Sequence, residues 1–303
     1  MLKSRLKKIV ALVVLFGIIS FALITVISYS IVKQFIYRRV HKLEWLNQTR
    51  HFNERLYSEL GAQRIMFQTS HGMTLVGLLF VRPHAKRNVL MCHGYSRSKE
   101  RLFNLITLFP EDNIFIFDYR AHGESQGDYT TIGFYETDDV QAAFNVLKLH
   151  EQTQHLPIFG IGVSMGAVSL LGCAAQGTAF KGIVVDSPFK QLEEQVARIF
   201  PAKTGLPLMP FMTFCHSIFE YLCQCSMHDV DALRWAKNLK VPIFIIHSNH
   251  DTMAHVEAAH QLYAAVPGHK KLWIVDNAIH ARIYKLYPQD YVQKVNLFFN
   301  SIL

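Results

Sequence analysis

The chain has 303 residues, 50% of them hydrophobic and 18% charged, with a net charge of +8. Lys3, Arg5, Lys7, Lys8, Lys33, Arg38, Arg39 and Lys42 all precede the first acidic residue, Glu44, so residues 43–303 carry 23 basic and 23 acidic groups and are formally neutral. Nucleic-acid binding is excluded on this distribution, because the excess only flanks an apolar stretch, as basic residues do where they meet anionic lipid head groups.

From Ile9 to Val32 no charged residue occurs, a length that spans a bilayer as a helix. The stretch exceeds the apolar region of a cleaved signal peptide and lacks a small-residue cleavage site, so an uncleaved single-pass anchor is expected. Four Lys/Arg lie on each side, and the positive-inside rule does not orient it. A short tail in the cytoplasm with the large domain exported is the expectation. Residues 33–60 read as a juxtamembrane helix or linker, with Tyr37 and Trp45 suited to a membrane interface.

Next come two β-rich runs, Arg64–Gln68 and Leu75–Val81, forming a hairpin around His71-Gly72. Further strands are predicted over Asn88–Cys92, Asn113–Asp118, Pro157–Gly162, Gly182–Asp186, Pro242–His247 and Lys271–Val275. Helices are predicted over Phe134–Leu149 and Leu286–Leu303. This alternation argues for an α/β fold with a mostly parallel sheet covered on both faces. Between Pro188 and Lys240 it is interrupted. Phe189–Phe200 reads as helix, then Pro201, Pro207 and Pro210 break an apolar run, and a second helix reaches about Cys225. Such an insertion above the strand ends makes a small lid, with Leu206, Leu208, Met209, Phe211 and Phe214 as its apolar face. Cys92 and Cys173 fall in predicted core elements. Cys215, Cys223 and Cys225 cluster in the insertion, which leaves a disulfide among them open; their spacing matches no zinc pattern, and no metal is expected.

The chemistry centres on Gly162-Val163-Ser164-Met165-Gly166, where a strand ends and a small-residue helix begins. This is the context of a nucleophile elbow, a turn too tight for side chains two residues either side of the serine. A serine hydroxyl needs a base, and the base an orienting acid. In chain order the partners are Asp251, after the strand Pro242–His247, and His280, after the strand Lys271–Val275. Asp186 and Asp276 are alternative acids. An oxyanion would be met by the Met165 N–H and by a donor in the loop after Asn88–Cys92, taken to be the Tyr95 N–H. His93 is expected to brace that loop.

These motifs, together with His93-Gly94-Tyr95, Asp118-Tyr119-Arg120-Ala121-His122-Gly123-Glu124-Ser125 and Val184-Val185-Asp186-Ser187-Pro188, resemble those of an α/β-hydrolase of the serine-aminopeptidase-like group, which includes membrane-anchored esterases and thioesterases. The similarity spans roughly residues 64–303. With the apolar stretch read from composition, it divides the chain into a basic tail over 1–8, an anchor over 9–32, a juxtamembrane segment over 33–60, and a hydrolase domain over 61–303 with a lid at about 189–240. It makes the Asp118–Ser125 segment structural. Two positions depart from the family pattern: Ser248 stands where glycine usually follows the strand-ending histidine, and Asn277-Ala278-Ile279 replaces a glycine-rich stretch. The expected activity is cleavage of an acyl ester or thioester through an acyl-enzyme, without cofactor, on a small or lipid-like substrate. Peptide or amide cleavage is the alternative, and a non-catalytic binding protein on the same scaffold is a further one.

Overall fold

The computed structural model describes residues 2–37 and 57–303. Most of the expected juxtamembrane segment, Trp45 included, lies outside the described residues.

Eight strands form one sheet: β1 (Gln63–Gln68), β2 (Thr74–Phe80), β3 (Asn88–Cys92), β4 (Asn113–Asp118), β5 (Ile158–Val163), β6 (Gly182–Asp186), β7 (Ile243–Ser248) and β8 (Lys270–Val275). Their spatial order is β1-β2-β4-β3-β5-β6-β7-β8, and only the pairings of β2 are antiparallel. The expected hairpin joins β1 to β2, and Gly72 turns it at a φ of +75°. Each predicted strand agrees with an observed one to within a residue at either end.

Alternation along the strands divides the core in two. Leu90 and Cys92 of β3 face one apolar cluster, and Val89 and Met91 face the other. The first cluster is closed by helices α2 (Glu136–Leu149), α3 (Met165–Ala175) and α7 (Val256–Ala265); the second is closed by α8 (Pro288–Asn300) through Tyr291, Val295, Phe298 and Phe299. Because β3 and β5 to β8 are parallel, their C-terminal ends share one edge. Loops leaving that edge converge, as ligand sites in open α/β sheets require.

The insertion contains α4 (Leu192–Thr204) and α5 (Phe211–Cys223). Its ends are tied together by an antiparallel bridge between Gln191 and Asp231 and by the Leu192 N–H donating to the Val230 carbonyl at 3.0 Å. The next helix, α6 (Ala232–Lys237), already packs on α3, so the excursion closes near Asp231 rather than Lys240. Pro201 does not end α4, contrary to the sequence reading. It falls in the last turn, where its missing N–H removes a single bond to Ala197, while Leu192, Val196 and Phe200 at four-residue spacing bury one face. Gly205, in the left-handed region, ends the helix.

Helix α1 (Leu2–Ile36) is a single apolar rod long enough to cross a membrane. Residues 3–19 are exposed, whereas Ser28, Val32 and Ile36 are buried. That end packs against α5: the rings of Phe21 and Phe214 meet edge to face at 5.3 Å, and the Cys215 thiol lies 3.9 Å from the Ser28 carbonyl.

Candidate active site

Ser164 sits between β5 and α3 with φ +56° and ψ −119°, a conformation that residues with side chains rarely adopt. The flanking glycines explain how the turn is tolerated. A Cβ on Gly162 would lie 2.4 Å from the Gly166 carbonyl oxygen, and one on Gly166 would lie 2.4 Å from that of Cys92. The Ser164 N–H donates to the Asp186 carbonyl at 2.8 Å, fixing the elbow to the end of β6.

Three of the candidate residues come together. Ser164 Oγ lies 2.8 Å from His280 Nε2, and His280 Nδ1 lies 2.7 Å from Asp251 Oδ2. The other Asp251 oxygen accepts the N–H groups of Met253 and Ala254 at 2.8 and 2.9 Å. Burial opposes ionisation of this carboxyl, but the hydrogen bond and charge of His280 and the Ala254 N–H outweigh it, so the pKa falls below the usual carboxylate value. A carboxylate so held keeps Nδ1 protonated and leaves Nε2 as the acceptor facing the serine hydroxyl.

The other acids are placed differently. Asp276 accepts a hydrogen bond from the Asn249 side chain in the acid loop. Asp186 is buried, accepts the Ser187 hydroxyl at 2.9 Å and makes no hydrogen bond to His280. Burial, reinforced by the nearby charge of Asp251, pushes its pKa up to about 7.

The loop after β3 runs beside the serine: a Cβ on Gly94 would be 3.4 Å from Ser164 Cβ. Tyr95 lines the cavity over Ser164, and its hydroxyl donates to the Phe35 carbonyl near the end of α1 at 2.6 Å. Met165 opens α3 as its first helical residue, where a backbone N–H has no partner within the helix. His93 is neutral and bracing: Nδ1 donates to the Gly94 carbonyl at 2.8 Å and Nε2 accepts the Tyr119 N–H at 3.3 Å. Burial, then the charge of His122, drives its pKa down to about 3.

The Asp118–Ser125 segment is built round Lys99, a buried ammonium paired with Asp118 and Glu124, each at 2.7 Å. Gly123 is required here, since a Cβ would lie 2.1 Å from the Asp118 carboxylate. Nothing local in the sequence marks Lys99, a lysine that folds under a loop nineteen residues away. Ser248, which departs from the family pattern, joins two loops. Its hydroxyl donates to the Ala278 carbonyl at 2.5 Å and accepts the Ala278 N–H at 3.2 Å, stapling the acid loop to the histidine loop. The two departures from the family pattern therefore meet each other.

The cavity over Ser164 holds about 480 Å³. A second cavity of about 340 Å³ lies between the last turns of α1, α4 and α5, lined by Val32, Phe35, Val196, Ile199 and Phe219, and Tyr95 is a wall of both. Among the described residues two groups have metal-ligand chemistry, neither touching the triad. Glu193, His216 and His228 lie on the insertion, and Glu100, Asp118 and Glu124 surround the Lys99 ammonium instead. All five cysteines are free and buried.

Comparison with known proteins agrees with this architecture. Residues 83–224 match the family model of serine aminopeptidase, S33, and residues 220–303 match that of a PhoPQ-activated pathogenicity-related protein. The uncharacterized protein YqkD of Bacillus subtilis is 29% identical over 254 residues, covering 81% of this chain and 82% of that protein. The esterase Pf2001 of Pyrococcus furiosus, in its P212121 crystal form, superposes with a TM-score of 0.67 at 25% identity, over 81% of this chain and 94% of the esterase. DcsB, solved with a substrate analogue, superposes at 0.64 with 15% identity over 80% of this chain and 99% of its own, a likeness of fold.

Proposed function

We propose that this chain, which belongs to the α/β-hydrolase superfamily, is a membrane-anchored serine hydrolase that cleaves an acyl ester or thioester. The observation that carries the proposal is the continuous hydrogen-bonded line from Ser164 Oγ through His280 to Asp251. Its likeness to an archaeal esterase supports the same class of reaction.

In this reading His280 Nε2 takes the serine proton as Oγ adds to the substrate carbonyl. Asp251 holds the imidazole and stabilises the imidazolium that forms. The N–H groups of Tyr95 and Met165 receive the oxyanion, each contributing about 10²–10³ in rate if it behaves like other such donors. His280 then returns its proton to the leaving atom. Water, deprotonated by the same histidine, releases the acid from Ser164. The apolar cavity beside Tyr95 takes the acyl chain, and α1 crosses the membrane once with the catalytic domain on the exported side. The cavity favours an acyl chain over a peptide, because its lining is dominated by aliphatic and aromatic side chains.

A fluorophosphonate probe tests the reading directly. The native protein should be labelled, and Ser164→Ala and His280→Ala should not. Turnover of p-nitrophenyl esters by a folded Ser164→Ala protein would exclude the serine mechanism. A reporter at the C-terminus establishes which side of the membrane the domain occupies.

A further inference from the structure

The cavity over Ser164 has a basic wall. Among the described residues Arg97, Arg101, Arg282 and Lys285 line it, and no carboxylate lines it with them. None of the four has an ion-pair partner among the described residues. Two follow the Tyr95 loop in sequence and two follow His280, so the fold gathers them from separate segments. They are close enough to repel one another. Partial burial, then the charges of Arg101 and Arg282, hold the Arg97 pKa below its usual value, and Lys285 is lowered by burial and by the same arginines. In a domain that is formally neutral, four cations gathered on one wall cost free energy. An anion entering among them offsets that cost, and guanidinium groups match phosphate oxygens in geometry.

The position of the wall says which part of the substrate is charged. His280 must deliver its proton to the leaving atom, so the leaving group lies on the His280 side, where Arg282 and Lys285 stand. The apolar cavity shares Tyr95 with this one but none of the four cations. We propose that this basic wall is a subsite for a phosphate-type anion carried by the leaving group, and that the substrate is an acyl ester or thioester of a phosphate-bearing alcohol or thiol. This rests on the serine-hydrolase reading. In the reaction the bond from Ser164 Oγ to the acyl carbon forms, the acyl C–O or C–S bond breaks, and its electron pair leaves on that atom with the proton from His280. The phosphate itself changes no bond.

The test uses full-length protein in detergent micelles and two matched pairs: 1-oleoylglycerol 3-phosphate against 1-oleoylglycerol, and the corresponding butyryl compounds. The readout is the ratio of kcat/KM within each pair. The native enzyme should favour the phosphate-bearing member, and added salt should shrink the ratio. Removing two charge-assisted contacts with Arg97→Gln/Arg101→Gln should lower the ratio about tenfold or more. Lys285→Gln, from the other segment, should lower it less and guards against a local folding fault in the first variant. A fall in both pairs assigns the subsite to phosphate esters in general, and a fall in the oleoyl pair alone assigns it to lipid head groups. A native ratio near one, or a ratio unmoved by both variants, overturns the proposal. So does an equal loss on charged and neutral substrates that tracks binding to anionic vesicles, since the cations would then dock the bilayer. Neutral-ester turnover surviving in Ser164→Ala marks failure of the serine mechanism instead.

Discussion

The triad and the junction between α1 and the insertion meet at Tyr95, and they are held together by different forces. Ser164, His280 and Asp251 stand at the ends of three strands and are aligned by directional hydrogen bonds of 2.7 and 2.8 Å. Steric exclusion at Gly162 and Gly166 and the Ser248 staple remove further freedom. The junction relies mainly on apolar contact, with the Tyr95 hydroxyl on Phe35 as a directional link. Bond-making tolerates displacements well below an ångström, so it needs directional restraint. A pocket for a flexible chain needs volume and dryness, which non-directional packing supplies.

The sharpest way to break the triad's side of this comparison is Asp251→Asn. The amide leaves the shape intact but lets the imidazole take the wrong tautomer, and kcat should fall about 10³–10⁴-fold with folding retained. Steady-state kinetics beside circular dichroism checks it, and a fall of less than tenfold would mean that another acid orients His280.

A smaller effect separates the two buried carboxyls by the sign of their pH dependence. Asp251 has a depressed pKa, so its contribution to stability is present above the usual carboxylate value and is lost as pH falls through the lowered one. Asp186, pushed up to about 7, behaves oppositely. Between roughly pH 4 and 7 the unfolded chain releases this proton while the folded chain retains it, so Asp186 destabilises increasingly across that window. Asp186→Asn should therefore leave Tm unchanged near pH 4 and raise it most at pH 8, by the equivalent of about 2–4 kcal/mol. Thermal melts at the two pH values decide it. A gain equal at both would point to packing rather than charge.

The mildest test sits on the junction. Ile199→Trp fills part of the apolar cavity and should shift preference toward short acyl chains, lowering kcat/KM for decanoate against acetate about tenfold, the equivalent of ~1.4 kcal/mol. Activity on acetate reports whether the triad is disturbed. An unchanged chain-length profile would remove the acyl chain from this cavity.

The fold was legible because its signals are local. Short β-branched runs ending at glycine or polar turns give strands, and a G-x-S-x-G between strand and small-residue helix leaves few other conformations. Ser164, Asp251 and His280 could be named because chain order along a parallel sheet puts successive strand ends on one edge. Chain order and strand ends favoured Asp251 but left Asp186 and Asp276 open, and in the structure it is Asp251 that hydrogen-bonds His280. Pro201 was misread as a helix breaker because propensity counts a lost hydrogen bond and not the buried face of Leu192, Val196 and Phe200 that keeps the last turn in place.

By itself, then, the sequence determined the strands, the elbow and the long apolar N-terminal helix, since each depends on neighbouring residues through steric and hydrophobic periodicity. Only the tertiary structure decided that Lys99 lies buried beneath Asp118, that the end of α1 walls a cavity with α4 and α5, and that Arg97 and Arg101 face Arg282 and Lys285. Those pairings join residues far apart in the chain, and their geometry exists only once the sheet has brought its loops to one edge.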